Sequence, residues 1–227
     1  MQGKLLVKPT IIKGLPGFEL LIRDANITVQ ELLFELNQAY QEQDLPRLWP
    51  HKSGDSTGTY GDCEGCSLCC QERLPVTSID VLQIRKALGL DAMEVFGFLW
   101  VEVQGPAVDI TLRRRKQRCI FLDQQGRCKI YNQRPLACQT YLCCQTGPRF
   151  QEMRSQIINA GMDELVRYSL AAFHQSDRLF PIDRAYSPRI NHRDWQKGYF
   201  TGKTNYQQLK LARVLSFGLW HSMLLLE

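Results

Sequence analysis

Nine cysteines, at positions 63, 66, 69, 70, 119, 128, 138, 143 and 144, fall within about a third of this 227-residue chain, and the rest of the chain has none. Thiols used only as small buried apolar groups would be spread along the sequence, so the clustering itself argues for a site. Four of them crowd into eight positions, in CEGCSLCC at 63 to 70. That stretch admits disulfides, a redox centre or metal ligation.

Disulfides fit poorly. A chain of this length can bury an adequate core without covalent staples. Cys69–Cys70 and Cys143–Cys144 are adjacent, and neighbouring Cα atoms lie only about 3.8 Å apart, which strains a bond within either pair. The N-terminus has no unbroken apolar stretch followed by a small-residue cleavage site, so no export signal is read and the expected compartment is the cytoplasm, where thiols stay reduced. Cys63-Glu-Gly-Cys66 is a C-x-x-C, yet the βαβ pattern that frames thioredoxin-like motifs is missing around it. Metal ligation explains more. Spacings of three let Cys63, Cys66 and Cys69 or Cys70 converge around one turn, and C-x2-C-x2-C opens ferredoxin-type cluster loops. The ferredoxin run departs here, since the fourth cysteine follows at once and Gln71 comes next. No histidine falls inside the cluster; His51 is nearest. The expected donor set is therefore all sulfur, with an iron–sulfur cluster of [4Fe–4S] type the first expectation and zinc the second.

The two cysteine-bearing stretches together resemble the cysteine-cluster (CxxCxxCC) family, described as a zinc- or iron-chelating domain. CEGCSLCC carries the first half of the resemblance. The second half is CIFLDQQGRCKIYNQRPLAC, with Cys119, Phe121-Leu122-Asp123, Gly126-Arg127-Cys128, Ile130-Tyr131, Arg134-Pro135 and Cys138. It spans roughly residues 60 to 145, with Cys143 and Cys144 beyond its core pattern. The resemblance implies metal chelation, with Cys63, Cys66, Cys69, Cys70, Cys119, Cys128 and Cys138 as candidate ligands. The family is similar to the cysteine-rich part of flagellin lysine methylases, which implies a second reading, a metal-dependent protein-modifying enzyme. No glycine-rich loop for S-adenosylmethionine is apparent, and no catalytic residue is assigned.

The fold class expected is α+β: a small cysteine-rich core of β-hairpins and short helices flanked by α-helices. Three segments are expected to fold as one unit: an N-terminal helical appendage (1–58), the metal-binding region (59–147) and a C-terminal helical region (148–227). Thr28 and Glu31 have capping-box spacing ahead of a helix over about 29 to 43. A helix is expected from Thr77 or Ser78 to Gly89, and a short one opened by Asp91 and Glu94. LWVEVQGPAVDITLRR reads as two strands about a Gly-Pro turn, and RCIFLDQQGRCKIY as a hairpin turning over Asp123 to Gly126. Pro135 is suited to open a helix. One or two amphipathic helices are expected over 150 to 176 around Gly161, and the last apolar stretch, LARVLSFGLWHSMLLLE, reads as a single docking helix, too short and polar for a membrane span.

Arg134 is a candidate cofactor contact, able to donate to a sulfur or to pair with a carboxylate such as Asp123. RRRKQR (113 to 118) reads as a solvated edge, or as cations facing thiolates or an acidic partner. A net charge of +5 falls short of a nucleic-acid footprint. The expected partners are thus a metal centre and an unidentified protein, with no nucleic acid and no membrane. NHRDW (191 to 195) reads as a loop. Cys69 and Cys70, if extended, would point to opposite faces and serve different centres.

Overall fold

The computed structural model describes residues 3–41, 69–104, 107–175 and 198–225. Cys63, Cys66, His51 and the NHRDW stretch lie outside the described residues. The architecture is α+β, as the pattern of strands and helices led us to expect.

The chain opens with an element that periodicity did not signal, a β-hairpin. Strands β1 (Leu5–Ile12) and β2 (Leu15–Ile22) pair antiparallel from Leu5 opposite Ile22 to Ile12 opposite Leu15. The two-residue turn holds Lys13 and Gly14 at φ 50° and 79°, the doubly positive conformation that matches strand twist. Phe18, Leu20 and Ile22 alternate on the buried face of β2. Helix α1 (Val29–Gln41) follows behind the expected capping box: the Glu31 carboxylate accepts the Thr28 amide at 2.8 Å, and Thr28 Oγ1 accepts the Glu31 amide at 3.2 Å. Val29, Leu32, Leu33, Leu36 and Tyr40 form its buried stripe.

Helix α2 (Ser78–Leu88) has both expected boundaries. Thr77 and Asp80 cap its start reciprocally, and Gly89 stops it at φ 65°. The Asp91 amide and carboxylate exchange hydrogen bonds with Glu94 ahead of a single 3-10 stretch, Glu94–Phe98. Strands β3 (Leu99–Gln104) and β4 (Ala107–Leu112) form the first expected hairpin. The RRRKQR segment makes a second, exposed one: β5 (Arg114–Arg115) pairs β6 (Arg118–Cys119) about Lys116 and Gln117, both at positive φ. The hairpin expected after Cys119 shrinks to one bridge, Leu122 opposite Cys128, around a loop tied by Asp123. Pro135 precedes a short helix, α3 (Leu136–Gln139), and strand β7 (Gln145–Thr146) then adds parallel to β2. Gly17 permits that addition, because a Cβ there would lie 2.5 Å from the Gln145 carbonyl oxygen.

Of the one or two helices expected here, residues 150 to 175 belong to one. Helix α4 (Pro148–Gln175) runs 28 residues, about 42 Å, and joins two apolar cores. Phe150, Met153, Ile157 and Ile158 pack with the N-terminal hairpin, α1 and the C-terminal segment. Leu165 and Val166 pack with β3, β4 and the residues around Cys119 and Cys128. Gly161 sits between the two groups: a Cβ at this position would lie 2.5 Å from the Thr77 side chain and 2.8 Å from Phe200. The last segment, expected as a single helix, breaks into α5 (Leu211–Val214) and α6 (Phe217–Met223). The break lets it trace the core surface and bond back to the N-terminus, where the Leu225 amide reaches Ile22 O at 2.8 Å. No described helix is long and apolar enough to cross a membrane.

At the junction of the two cores lies Asp80, fully buried and unsignalled except as a cap. Its carboxylate accepts the Thr77 amide at 2.8 Å, the Leu136 amide at 2.9 Å and the Tyr206 hydroxyl at 2.7 Å. The Thr77 and Tyr206 hydroxyls lie 2.6 Å apart. With the Tyr206 proton given to Asp80, the Thr77 hydroxyl donates to Tyr206. Burial pushes the Asp80 carboxyl above its ordinary range, against the pull of these donors.

Removing one donor leaves part of a buried carboxylate unsatisfied. Tyr206→Phe is therefore expected to destabilise the fold by about 1–3 kcal/mol. Gly161→Ala is expected to lower stability too, because a Cβ overlaps Thr77. Urea unfolding at equilibrium checks both, and a wild-type midpoint in either variant would contradict the packing described.

Candidate metal centre

All seven described cysteines are free thiols, and all seven line one cavity of about 360 Å³. They arrive there on five separate pieces of backbone. Cys69 and Cys70 sit on a 3-10 turn, Cys69–Gln71. Cys119 ends β6, Cys128 lies across from Leu122, and Cys138 rides on α3. Cys143 and Cys144 lead directly into β7. The anchors behind them are firm: the Asp80 carboxylate holds the first amide of α3, two residues before Cys138, and β7 is stitched to β2.

The helical turn corrects the expectation for the vicinal pair. Cys69 and Cys70 are not extended with opposed side chains; their thiols hydrogen-bond to each other, which raises Cys69 well above the ordinary thiol range. Within a turn of three residues the two sulfurs swing to a common side.

Four thiols stand out by mutual influence. Cys69, Cys119, Cys128 and Cys138 lie within electrostatic reach of one another in all six pairs. Burial raises each of the last three: Cys119 to about 11, Cys128 above the usual value and Cys138 well above it. Opposing this, the Phe121 amide bonds to Cys119 and the Ile130 amide to Cys128, each two residues on from its cysteine. These are donors aimed at sulfur, and they favour thiolate. Desolvation still wins, because no cation compensates the sulfurs fully. A bound metal would remove that penalty by taking the thiolate form directly. The donor chemistry of the site thus fits a thiophilic metal. Among the described residues, however, no group of three or more His, Cys, Asp or Glu side chains is arranged to hold an ion.

Arg134 does not pair with Asp123, whose partner is Arg127 at 3.1 Å. It instead bonds the Tyr131 carbonyl at 3.0 Å, lies 3.9 Å from the Tyr131 ring centroid, and favours the thiolates of Cys69 and Cys128. Two lining features were not expected. Cys143 and Cys144 face the same cavity, with burial holding Cys144 up at about 12. Arg154, on α4, lines the same cavity with Tyr141 and Gln151, within electrostatic reach of Cys138. Cys143 and Cys144 carried a sequence signal as a second vicinal pair; Arg154 is one cation among many on an amphipathic helix and carried none.

A cavity lined by clustered thiols, held by a carboxylate-centred junction and supplied with backbone amide donors, has the donor chemistry of a thiol-rich site. Residues 62–160 match the family model CxxCxxCC, described as "putative zinc- or iron-chelating domain", so this stretch is similar to that family. No curated protein and no solved structure matches the chain.

Raised pKa values predict slow thiol chemistry. With Cys119 near 11 instead of 9.0, its thiolate fraction at neutral pH falls about a hundredfold. Metal-free protein treated with iodoacetamide should therefore modify Cys119, Cys138 and Cys144 at least tenfold more slowly than the urea-unfolded chain does, roughly. Peptide mapping by mass spectrometry reads this directly; equal rates would contradict the burial described.

Proposed function

We propose that this protein binds a metal centre through cysteine thiolates, with an iron–sulfur cluster of [4Fe–4S] type ahead of zinc. The observation that carries the reading is the four-thiol group Cys69, Cys119, Cys128 and Cys138, mutually coupled on the wall of one cavity. Cys63, Cys66 and Cys70 are the remaining ligand candidates, either replacing a member of that group or holding a second centre. Arg134 supports the centre as a cation beside Cys69 and Cys128. Two features favour a cluster over a single ion. Among the described residues the lining has no histidine, and 360 Å³ is more room than one ion fills. When bound, a cluster supplies one-electron transfer, whereas zinc supplies a structural cross-link or a Lewis acid. The role that follows is structural, electron-transferring or accessory, in a cytoplasmic setting.

A metal-dependent protein-modifying enzyme is the second reading. What favours it is that polar side chains share the cavity with the thiols: Arg134, Arg154, Tyr131, Tyr141 and Gln151. A purely structural centre has no need of them.

Anaerobic purification followed by metal analysis and a visible spectrum tests the reading. Iron, acid-labile sulfide and a broad visible absorption are expected, with Cys138→Ser losing most of the metal; stoichiometric zinc without colour would assign the alternative metal. Ligation releases one proton from each thiol. Since folding raises those thiols, metal affinity should climb as pH rises from about 6 to about 9. Competition with a chelator across that range measures the slope, and a flat profile would argue against thiolate ligation.

A further inference from the structure

The cavity has a charge imbalance that thiol ligation does not account for by itself. Among the described residues lining it there is no Asp, Glu or Lys, but there are two arginines. Neither Arg134 nor Arg154 forms an ion pair with a carboxylate among the described residues. Glu72 is close enough to act on Tyr141, but it does not line the cavity. Each guanidinium is instead set against a tyrosine ring, Arg134 at 3.9 Å from Tyr131 and Arg154 at 5.7 Å from Tyr141. Such stacking holds the planar fork in place and leaves its N–H edges free to donate.

The two arginines differ in what already satisfies them. Arg134 spends its Nε on the Tyr131 carbonyl and its charge on Cys69 and Cys128. Arg154 is half-buried, and its Nε is occluded with no hydrogen-bond partner among the described residues, which leaves its terminal N–H groups to face the cavity. A buried donor on a charged group with nothing to bond is costly, and native structures rarely tolerate it without a ligand or an ordered water. Desolvation also depresses the Arg154 pKa, opposed only in part by the nearby Tyr141 hydroxyl and Cys138 thiol. Gln151, one turn earlier on α4, is tied to Thr146, which fixes this wall relative to β7.

We propose that the cavity binds a small molecule carrying an oxyanion, a carboxylate or a phosphate, with Arg154 as its principal ligand and Arg134 as the second cation. The volume suits a small organic molecule beside a metal centre, and a guanidinium fork suits either oxyanion bidentately. The inference deepens the metal-site reading, since it names the class of molecule brought up to that centre, and it rests on that reading for its role though not for the binding itself.

Calorimetric titration of the anaerobically purified full chain with inorganic phosphate and, separately, with acetate tests it, in chloride-balanced buffer. Saturable binding of at least one anion is expected. Phosphate alone points to a phosphorylated ligand, acetate alone to a carboxylate, and both to recognition of the shared oxyanion. Arg154→Gln should weaken that binding at least about tenfold, and Arg154→Lys, which keeps the charge but loses the fork, should weaken it less. Metal content of both variants should match the wild type. Binding that depends on Arg154 in protein that holds no metal would sustain this inference while removing the metal reading. The inference is overturned if neither anion binds saturably, or if Arg154→Gln binds as the wild type does. It is likewise overturned if the variant's only defect is lost metal, which would make Arg154 a counter-charge for thiolates.

Discussion

The buried carboxylate of Asp80 is the interaction on which the arrangement depends. It caps α2, accepts the first amide of α3 and accepts a hydrogen bond from the Tyr206 hydroxyl, so three segments far apart in sequence meet at one side chain. An uncompensated buried carboxylate is expensive, and three donors are what make it tolerable. Because all three must be present together, the junction specifies one relative placement of α2, α3 and the Tyr206 turn. Cys138 sits two residues beyond the amide that Asp80 holds. The register of the thiol cavity is thus tied to a polar contact in the core.

Around that junction the protein is organised by α4, which passes through both apolar groups and narrows to Gly161 where Thr77 crosses it. The N-terminal hairpin and the C-terminal helices serve one core, the strands and the cysteine loops the other. Strand β7 binds them together from the far side, and Gly17 gives it room. The cysteine loops themselves have little regular structure: β5, β6 and β7 are two residues each. Their positions come from neighbours and from side-chain ties such as those of Asp123 and Arg114. In such a region a metal would add cross-links where hydrogen-bonded secondary structure is sparse.

The chemistry of the cavity follows from competing terms. Burial favours neutral thiols; amides at Phe121 and Ile130, with the charge of Arg134, favour thiolates. Desolvation prevails in the protein alone, so the site is poised for a cation that offsets it. Arg154 stands on the other side of that balance, a cation lining a cavity that has no carboxylate among the described residues.

Much of this was legible in local pattern. The capping box at Thr28–Glu31, the helix start near Thr77, the Gly89 stop and the β3–β4 pair follow from near-neighbour chemistry, and near neighbours are what a sequence displays. The first hairpin was not, because Lys13-Gly14 is a weaker turn signal than Asn-Gly and β1 is largely solvated. The single length of α4 was hidden by Gly161, which reads as a break but is a close approach to Thr77. Cysteine clustering by itself pointed to a thiol site and supplied its candidate residues. Only the tertiary structure decided that Cys143 and Cys144 share the cavity, that Asp80 and Tyr206 lock its frame, and that Arg154 enters it. Those contacts join residues separated by tens of positions, and their energies arise from desolvation and convergence, which exist only once the chain is folded.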